Sequence, residues 1–384
     1  MGTNEIRIPF NKPFLPLHAR KFVEDVLSSS HLHGDGRFSR EAEEILSGLS
    51  GGGSVFLTAS CTQALEMSTL LLGLNPGDEV ILPSFTFTSA VTSLVNSGVK
   101  PVFVDINLKD LNIDVSLIRE AITAKTKAIS VVNYGGAACD YEEISKIARE
   151  YGLRIIEDNA HGLMGSMKNS PLGSFGDLAT LSFHATKNFQ CGEGGALIIN
   201  DKSLLERAYT LREKGTNRKQ FLEGGVEKYE WFDKGGSYLL PEVLSGLLLS
   251  QLRESKFIQQ ERAHVWNRYH DELFEVFMAH GWKFSELARG TRGSFHNFYL
   301  IPKKGVRQKM RAYLAEKGIE ANAHYQGLHA SKAGRKLGRS VGDFSITDMA
   351  STELLRLPLW TGMTNEEIDS VISGVKEFTT VRND

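Results

Sequence analysis

The stretch SFHATKNFQCGEGG, residues 182–195, places Lys187 between an apolar, strand-like run and a glycine-rich turn. A lysine in this position can simply extend into water. It can also act as a nucleophile, because an amine held near neutrality forms a Schiff base with a carbonyl carbon. The side chains that follow the neighbouring strands are needed to choose between these two alternatives.

Other residues with suitable chemistry follow predicted strands at their carboxyl ends. They are Ser60, Cys61 and Thr62 after VFLTA, Phe85 and Phe87 after EVILP, Asp158 in LRIIED, and Ser182 with His184 before Lys187. Ligands of parallel sheets bind beyond the carboxyl ends of the strands, so we expect these side chains to meet in one place.

Together these residues supply the parts of a site for pyridoxal 5′-phosphate (PLP). A helix N-terminus with small hydroxyl residues binds a phosphate dianion. An aromatic face covers the pyridine ring, a carboxylate keeps the ring nitrogen protonated, and a lysine forms the Schiff base. Each part also has an ordinary explanation: Asp158 as a turn residue, Ser60 to Thr62 as a helix cap, Phe87 as core. These separate explanations do not account for the occurrence of all these residues together on successive strand ends.

The elements that must position these residues follow an α/β pattern. From about residue 60 to 200, six β-rich runs occur, and helical patterns separate most of the first four. This alternation predicts a mainly parallel sheet covered on both faces, in an α/β fold. Asp140 and Glu143 have the spacing of a capping box, which marks the start of one intervening helix.

The chain changes its pattern after the stretch SYLLPEVLSGLLLSQL. A long helical pattern runs to about Gly281, and a mixed α+β rhythm follows, with FHNFYLIP as a strand and EEIDSVISGVKEF as a final helix capped by Thr364 and Glu367. We predict a large domain over residues 10–250 and a small C-terminal domain over residues 251–384, with a cleft between them as the default site.

Composition excludes several classes of protein. A formal net charge of −2 gives no overall basic field for nucleic acid or anionic membrane, so any phosphate site must be local. Cys61, Cys139 and Cys191 are too few and too scattered for a disulfide framework or a CxxC-type metal site. The chain has no signal-peptide pattern and no run of about 18 apolar residues. We expect a globular, cytoplasmic protein with no metal.

Five stretches carry a resemblance to a known family: EDNAH, SFHATKNFQCGEGG, REKGTNRKQF, GSYLLPE and HYQGLH. They are similar to the nucleotide-sugar aminotransferases of the DegT/DnrJ/EryC1/StrS family, whose members have the PLP fold type I architecture. The likeness runs from about Pro9 to Phe378. Within the family, GDGRFSR, ASCTQALEM, PGDEVILPSFTF and KYEWFDKGGSYL most resemble transaminases that make dTDP-4-amino-4,6-dideoxygalactose.

The resemblance implies a role for each matching position. Lys187 corresponds to the Schiff-base lysine, which also moves the proton of the reacting carbon, and Asp158 to the partner of the pyridinium nitrogen. Phe87 corresponds to the aromatic residue that stacks on the ring. The implied phosphate contacts are Ser60, Cys61, Thr62 and Ser182.

Two matching positions depart from the family pattern. His161 stands where many relatives carry Gln beside the ring hydroxyl, and an imidazole can donate the same hydrogen bond but can also titrate. Ser237 stands where many relatives have an Asn that reaches a phosphate in the neighbouring subunit, which implies a homodimer with shared active sites. His324, Tyr325 and His329 match a segment beside the sugar nucleotide, although histidines in a surface loop are more often structural or solvated.

The implied reaction transfers the amino group of L-glutamate to the C4 ketone of dTDP-4-dehydro-6-deoxy-D-glucose. Its product is a dTDP-4-amino-4,6-dideoxyhexose, with the galacto form favoured, for surface polysaccharide synthesis such as that of O-antigen. A UDP-linked sugar, a C3 ketone or a gluco product is the main alternative. A dehydratase of this fold replaces the Schiff-base lysine with His, whereas Lys187 is intact. A PLP-binding regulator needs an added DNA-binding segment, which one aminotransferase-like unit filling 384 residues does not accommodate.

Overall fold

The computed structural model describes residues 7–381, which form a chain of alternating strands and helices. Its strands are β1 (Ser54–Thr58), β2 (Glu79–Pro83), β3 (Lys100–Val104), β4 (Thr126–Val132), β5 (Arg154–Asp158), β6 (Ser166–Met167), β7 (Ser170–Pro171), β8 (Leu178–Ser182), β9 (Gly195–Ile199), β10 (Lys283–Phe284), β11 (Thr291–Arg292), β12 (Phe298–Ile301), β13 (Arg339–Ser340) and β14 (Leu355–Leu357). Its α-helices are α1 (Ala19–Ser29), α2 (Arg37–Leu49), α3 (Cys61–Leu71), α4 (Ser89–Asn96), α5 (Ile118–Ala121), α6 (Tyr141–Tyr151), α7 (Leu205–Arg212), α8 (Arg218–Leu222), α9 (Glu242–Arg253), α10 (Ser255–His280), α11 (Val306–Glu316), α12 (Lys332–Leu337), α13 (Ser345–Glu353) and α14 (Asn365–Val381). Within this described part, no helix is long and apolar enough to cross a membrane.

An eight-stranded sheet carries the strand ends that the sequence singled out. Its order is β1-β9-β8-β5-β4-β2-β3-β13, and the neighbours from β8 to β13 all pair in parallel. Strand β9 is antiparallel to both β1 and β8. Every residue of β2 and β9 is buried, as expected for strands covered on both faces. The prediction of an α/β fold with a mainly parallel sheet is confirmed.

A smaller antiparallel sheet, β10-β12-β14, forms a second centre of packing. Helices α10, α11 and α14 contribute to its core, which includes Tyr269, Phe298 and Trp360. The chain after residue 251 is not confined to this sheet, because β13 pairs with β3 at the edge of the large sheet. The division into domains at about residue 250 stays a prediction, and residues 382–384 of its second domain lie outside the described part.

The helix boundaries follow local capping interactions. Asp140 accepts a hydrogen bond from the backbone N–H of Glu143 at the start of α6. Thr364 and Glu367 cap each other reciprocally before α14, with distances of 2.8 and 3.2 Å. Gly281 ends α10 with φ of 65°, in the left-handed region that glycine adopts most easily. Both capping pairs predicted from sequence are therefore present.

Glu157 holds the end of β5, the strand that carries Asp158. Its buried carboxylate accepts hydrogen bonds from the backbone N–H groups of Gly173 (2.6 Å) and Phe175 (3.1 Å) and from the side chain of Asn133 (2.9 Å). These contacts tie the strand end to the segment before β8 and to the turn after β4. The orientation of Asp158 at the end of β5 therefore depends on the contacts of Glu157.

We predict that Glu157→Gln lowers the free energy of unfolding by about 2–4 kcal/mol, because an amide NH₂ replaces an oxygen that accepts buried N–H groups. Urea denaturation followed by circular dichroism measures the loss. Glu150→Gln is the matched control, since Glu150 forms only an exposed ion pair with Arg119. Equal stability of the two variants would contradict the assigned role of Glu157.

Candidate active site

A cavity of about 670 Å³ lies where the carboxyl ends of the large-sheet strands face the strands and loops that follow residue 295. All the predicted site residues except Ser237 and His329 line it, namely Ser60, Cys61, Thr62, Phe87, Asp158, His161, Ser182, Lys187, His324 and Tyr325. Side chains far apart in sequence are thus brought to one place, as the strand-end argument predicts.

Lys187 and Asp158 approach one another from adjacent strands. Asp158 ends β5 and accepts a hydrogen bond from the backbone N–H of Ala160 (3.1 Å), while Lys187 sits in the turn after β8. Burial lowers the pKa of the Lys187 amine and raises the pKa of Asp158, and the attraction between the two charges opposes both shifts. The amine is therefore held nearer to neutrality than an exposed lysine, which is what a nucleophile needs.

The N-terminus of α3 forms the wall beside these two residues. Ser60 is the N-cap, and its hydroxyl accepts a hydrogen bond from the backbone N–H of Gln63 (3.2 Å). The first backbone N–H groups of a helix have no partner inside it, so Cys61 and Thr62 present donors suited to an anion. The hydroxyl groups of Thr62 and Ser89 are 2.8 Å apart, which fixes the Thr62 side chain.

The glycine-rich turn after Lys187 has a packing function. A Cβ atom on Gly195 would collide with the backbone of Ser60 and Cys61, so only glycine allows β9 to pass this close to the start of α3. The GEGG segment is therefore a turn whose last glycine also shapes the anion-binding wall.

Three histidines form a second wall of the cavity. His161 stacks on His296, with ring centroids 4.1 Å apart, and His324 stacks on Tyr325 at 3.9 Å. Burial lowers the pKa of all three imidazoles, and that of His324 falls to about 2. The three rings are therefore neutral at physiological pH.

The tautomer of His161 follows from its backbone contact. The N–H of Gly135 donates to Nδ1 of His161 (3.3 Å), so the neutral ring carries its proton on Nε2. His161 is thus a donor that does not titrate near neutrality. This answers the question that its replacement of Gln raised.

Phe87 and Phe85 have different surroundings. The ring of Phe85 is buried against Tyr134 and Tyr325, with centroids 5.3 and 5.5 Å away, so Phe85 belongs to the core. The side chain of Phe87 is 58% exposed and lines the cavity. The core explanation therefore fits Phe85, and Phe87 keeps a free face.

Two predicted residues lie outside the cavity. His329 stacks on Phe344, and its Nδ1 is 2.7 Å from the hydroxyl oxygen of Ser84, so its surroundings are structural. Ser237 is exposed and forms a β-bridge with Glu213. Their proposed contacts with the sugar nucleotide and with a phosphate in a neighbouring subunit stay predictions.

The sequence interpretation missed cavity residues that follow residue 295. His296 and Asn297 belong to a stretch that was interpreted only as a strand, and Arg356 lies in the apolar run LLRLPLW. A single arginine between leucines in a buried strand is the one local signal that points to this wall. No motif spacing relates it to Lys187.

Known proteins that are similar to this chain agree with this arrangement of residues. A model of the DegT/DnrJ/EryC1/StrS aminotransferase family matches residues 18–376. The UDP-4-amino-4-deoxy-L-arabinose–oxoglutarate aminotransferase of Shewanella sediminis is 30% identical over 97% of this chain and 98% of its own.

Solved structures of similar fold are aminotransferases as well. The aminotransferase TlmJ from Streptoalloteichus hindustanus superposes with a TM-score of 0.90 and 28% identity, covering 98% of this chain and 100% of its own. The PLP-form of the sugar aminotransferase Spr1654 from Streptococcus pneumoniae, described as putative, gives a TM-score of 0.88 and 26% identity, covering 97% and 99%.

We predict that Lys187, in protein stripped of small molecules, reacts half-maximally with acetic anhydride at a pH below the ordinary lysine value of 10.5, because burial lowers its pKa. Asp158→Asn should lower this pH further, since the Asp158 charge raises the pKa of Lys187. Competitive labelling with peptide mapping measures both values. Asp25→Asn, on the surface of α1, is the control and should change nothing; a Lys187 value at or above 10.5 would refute the prediction.

Proposed function

This chain belongs to the DegT/DnrJ/EryC1/StrS aminotransferase family, and we propose that it transfers the amino group of L-glutamate to the C4 ketone of dTDP-4-dehydro-6-deoxy-D-glucose. The proposed product is a dTDP-4-amino-4,6-dideoxyhexose of galacto configuration, for surface polysaccharide synthesis. Members of the family are PLP-dependent, so PLP is the cofactor. The observation that carries the proposal is the partly buried Lys187, whose pKa is lowered, in one cavity of about 670 Å³ with Asp158.

The chemistry of the cavity residues fits PLP. Lys187 supplies an amine near neutrality for covalent attachment, and Asp158 supplies a buried carboxylate for the pyridine nitrogen. The N-terminus of α3 supplies N–H donors for the phosphate, with Ser182 close by, and Phe87 has a free aromatic face. When bound, PLP supplies an electron-poor ring that draws electrons from the bond that breaks at the amino-bearing carbon.

The roles of the protein side chains follow from their charges. Asp158 favours a proton on the ring nitrogen, because a nearby carboxylate raises the pKa of a cationic acid. With PLP bound, the Nζ atom of Lys187 would accept the proton of the reacting carbon and return it to the product. His161 would supply a neutral Nε2–H donor for the ring oxygen, because burial keeps its pKa low.

The assignment of the sugar nucleotide rests on two different observations. The dTDP sugar is supported by the similarity of GDGRFSR and KYEWFDKGGSYL to transaminases of that subgroup. A UDP-linked keto sugar is the second candidate, because the Shewanella relative is named for a UDP-linked amino sugar. In both cases we place the sugar beside His324 and Tyr325, which line the same cavity.

We expect the purified holoenzyme with L-glutamate to aminate dTDP-4-dehydro-6-deoxy-D-glucose faster than its UDP analogue or a 3-keto isomer. Product identification by NMR reads the configuration at C4. Lys187→Ala is the control and should be inactive on every sugar. Amination of a UDP sugar alone would contradict the dTDP assignment, and a holoenzyme spectrum unchanged by L-glutamate would favour the regulator.

We also propose that two subunits share each site. In segment 227–242, the side chains of Tyr229, Trp231 and Phe232 are 52%, 79% and 65% exposed. Grouped exposed aromatic side chains mark interaction surfaces. Ser237, also exposed, lies in the same segment, and we place it against the phosphate that α3 of a second copy binds.

A complementation experiment tests the shared site. Lys187→Ala and Ser237→Arg chains should each be inactive alone, whereas co-expressed mixtures should recover up to about half the parent activity per heterodimer, since one of two symmetric sites is intact. Ser370→Arg, an exposed change on α14, is the control and should be active alone. Heterodimers seen by native mass spectrometry that stay inactive would contradict sharing.

A further inference from the structure

Arg356 is a partly buried arginine in the wall of the active-site cavity. It lies on β14, and its guanidinium carbon is 4.4 Å from the centroid of the Phe10 ring. Its Nη2 atom donates to the carbonyl oxygen of Ala323 (3.1 Å), while its buried Nε–H has no hydrogen-bond partner. Among residues 7–381, no Asp or Glu forms an ion pair with it.

A buried and unpaired Nε–H group is unusual for an arginine. A charge removed from water is stabilised by an opposite charge or by a full set of hydrogen bonds. Arg262 shows the ordinary solution, because its nitrogens donate to the carbonyl oxygens of Phe295 (3.0 Å) and His296 (2.6 Å). Arg356 keeps an unpaired donor in a cavity wall, so an anion from outside the chain is the expected partner.

The charge of Arg356 acts on the reacting end of the cavity. It contributes to lowering the pKa of Lys187 and of His324, after the larger effect of burial. The charge of Arg356 therefore opposes a positive charge on Lys187. An anion bound by Arg356 would weaken this effect.

We propose that Arg356 binds a carboxylate of the amino-acid donor. The proposal rests on the proposed transamination and adds the contact that selects the donor. The planar guanidinium matches a carboxylate through two parallel N–H groups. No carboxylate of residues 7–381 forms an ion pair that would compete with the bound anion for this group.

The position of Arg356 favours this anion over the two phosphate groups. The N–H donors of α3 lie on the large-sheet wall, whereas Arg356 comes from β14 of the smaller sheet. The diphosphate of a sugar nucleotide is joined to C1, across the sugar ring from C4. The α-carboxylate of an amino acid is bonded to the carbon whose proton Lys187 moves, so it must lie near Lys187, where the charge of Arg356 is felt.

The test compares Arg356→Gln with the parent holoenzyme in two separate half-reactions. We expect the L-glutamate concentration for half-maximal conversion of the cofactor to rise about 10- to 100-fold, as for loss of charged hydrogen bonds. Half-saturation by the keto sugar nucleotide in the second half-reaction should stay at the parent value. A rise for the sugar nucleotide instead of L-glutamate would overturn the proposal.

A binding measurement keeps the test independent of turnover. Calorimetry with glutarate, a dicarboxylate that cannot react, should show weaker binding to Arg356→Gln than to the parent, whether or not L-glutamate is the true donor. Equal glutarate binding would overturn the proposal. If the parent holoenzyme binds glutarate but does not react with L-glutamate, the proposed function fails while the carboxylate site stands.

Controls separate binding from folding. Arg307→Gln removes an arginine outside the cavity that donates to the carbonyl oxygen of Ser351 (2.8 Å), and it should leave both half-reactions unchanged. Arg356→Lys retains the charge and should recover part of the glutarate affinity if Arg356→Gln folds poorly. L-Glutamine as donor, or as competitor against L-glutamate, identifies the group: equal loss for both assigns the α-carboxylate, and loss for L-glutamate alone assigns the side-chain carboxylate.

Discussion

The electrostatic attraction between the Lys187 amine and the buried Asp158 carboxylate is the interaction on which the rest of this structure depends. Lys187 and Asp158 each lose solvation in the cavity, and their attraction offsets only part of that cost. Their closeness requires β5 and β8 to be neighbours in the sheet, and it requires Glu157 to hold the end of β5. The mainly parallel sheet therefore does more than provide a scaffold, because it sets the distance between the two groups that determine the pKa of the nucleophile.

The remaining cavity residues adjust the charge around that pair without adding titratable groups near neutrality. His161 is buried, His296 and His324 are partly buried, and all three are neutral. They therefore offer hydrogen-bonding groups, while the charged residues carry the electrostatics. Lys187 and Arg356 are the cationic side chains of the described cavity, whose lining also includes the carboxylates of Asp158 and Glu193. Anion binding therefore depends on where each charge lies within the cavity, and not on the formal charge of −2 of the whole chain.

Much of the fold and half of the site could be predicted because the signals are local. Strand runs, capping boxes and strand-end positions such as Asp158 depend on residues within one element, and all are present in the structure. The antiparallel direction of β9 and the return of β13 to the large sheet depend on contacts between distant segments, so no pattern predicted them. Arg356 was missed for the same reason, since it reaches the cavity through the packing of the smaller sheet. The part of the site at the sheet edge is readable from local sequence patterns. In the part that closes over it, His324 and Tyr325 were predicted only through the family resemblance, and Arg356 was not predicted.

In the proposed dimer, the exposed aromatic segment (residues 227–242) would connect the site to subunit assembly. Its base is ordered: Asp233 pairs with Arg207 (2.8 Å), and the backbone N–H groups of Phe232 and Asp233 donate to the carbonyl oxygen of Gly215. Because these contacts fix the segment, Trp231 is exposed to solvent in an ordered conformation. The segment then loses little conformational entropy on association. In a shared site, Ser237 and the start of α3 in the second copy would contact one phosphate. Whatever binds there then stabilises the dimer, and dimer formation completes the binding site, because the two equilibria share that contact.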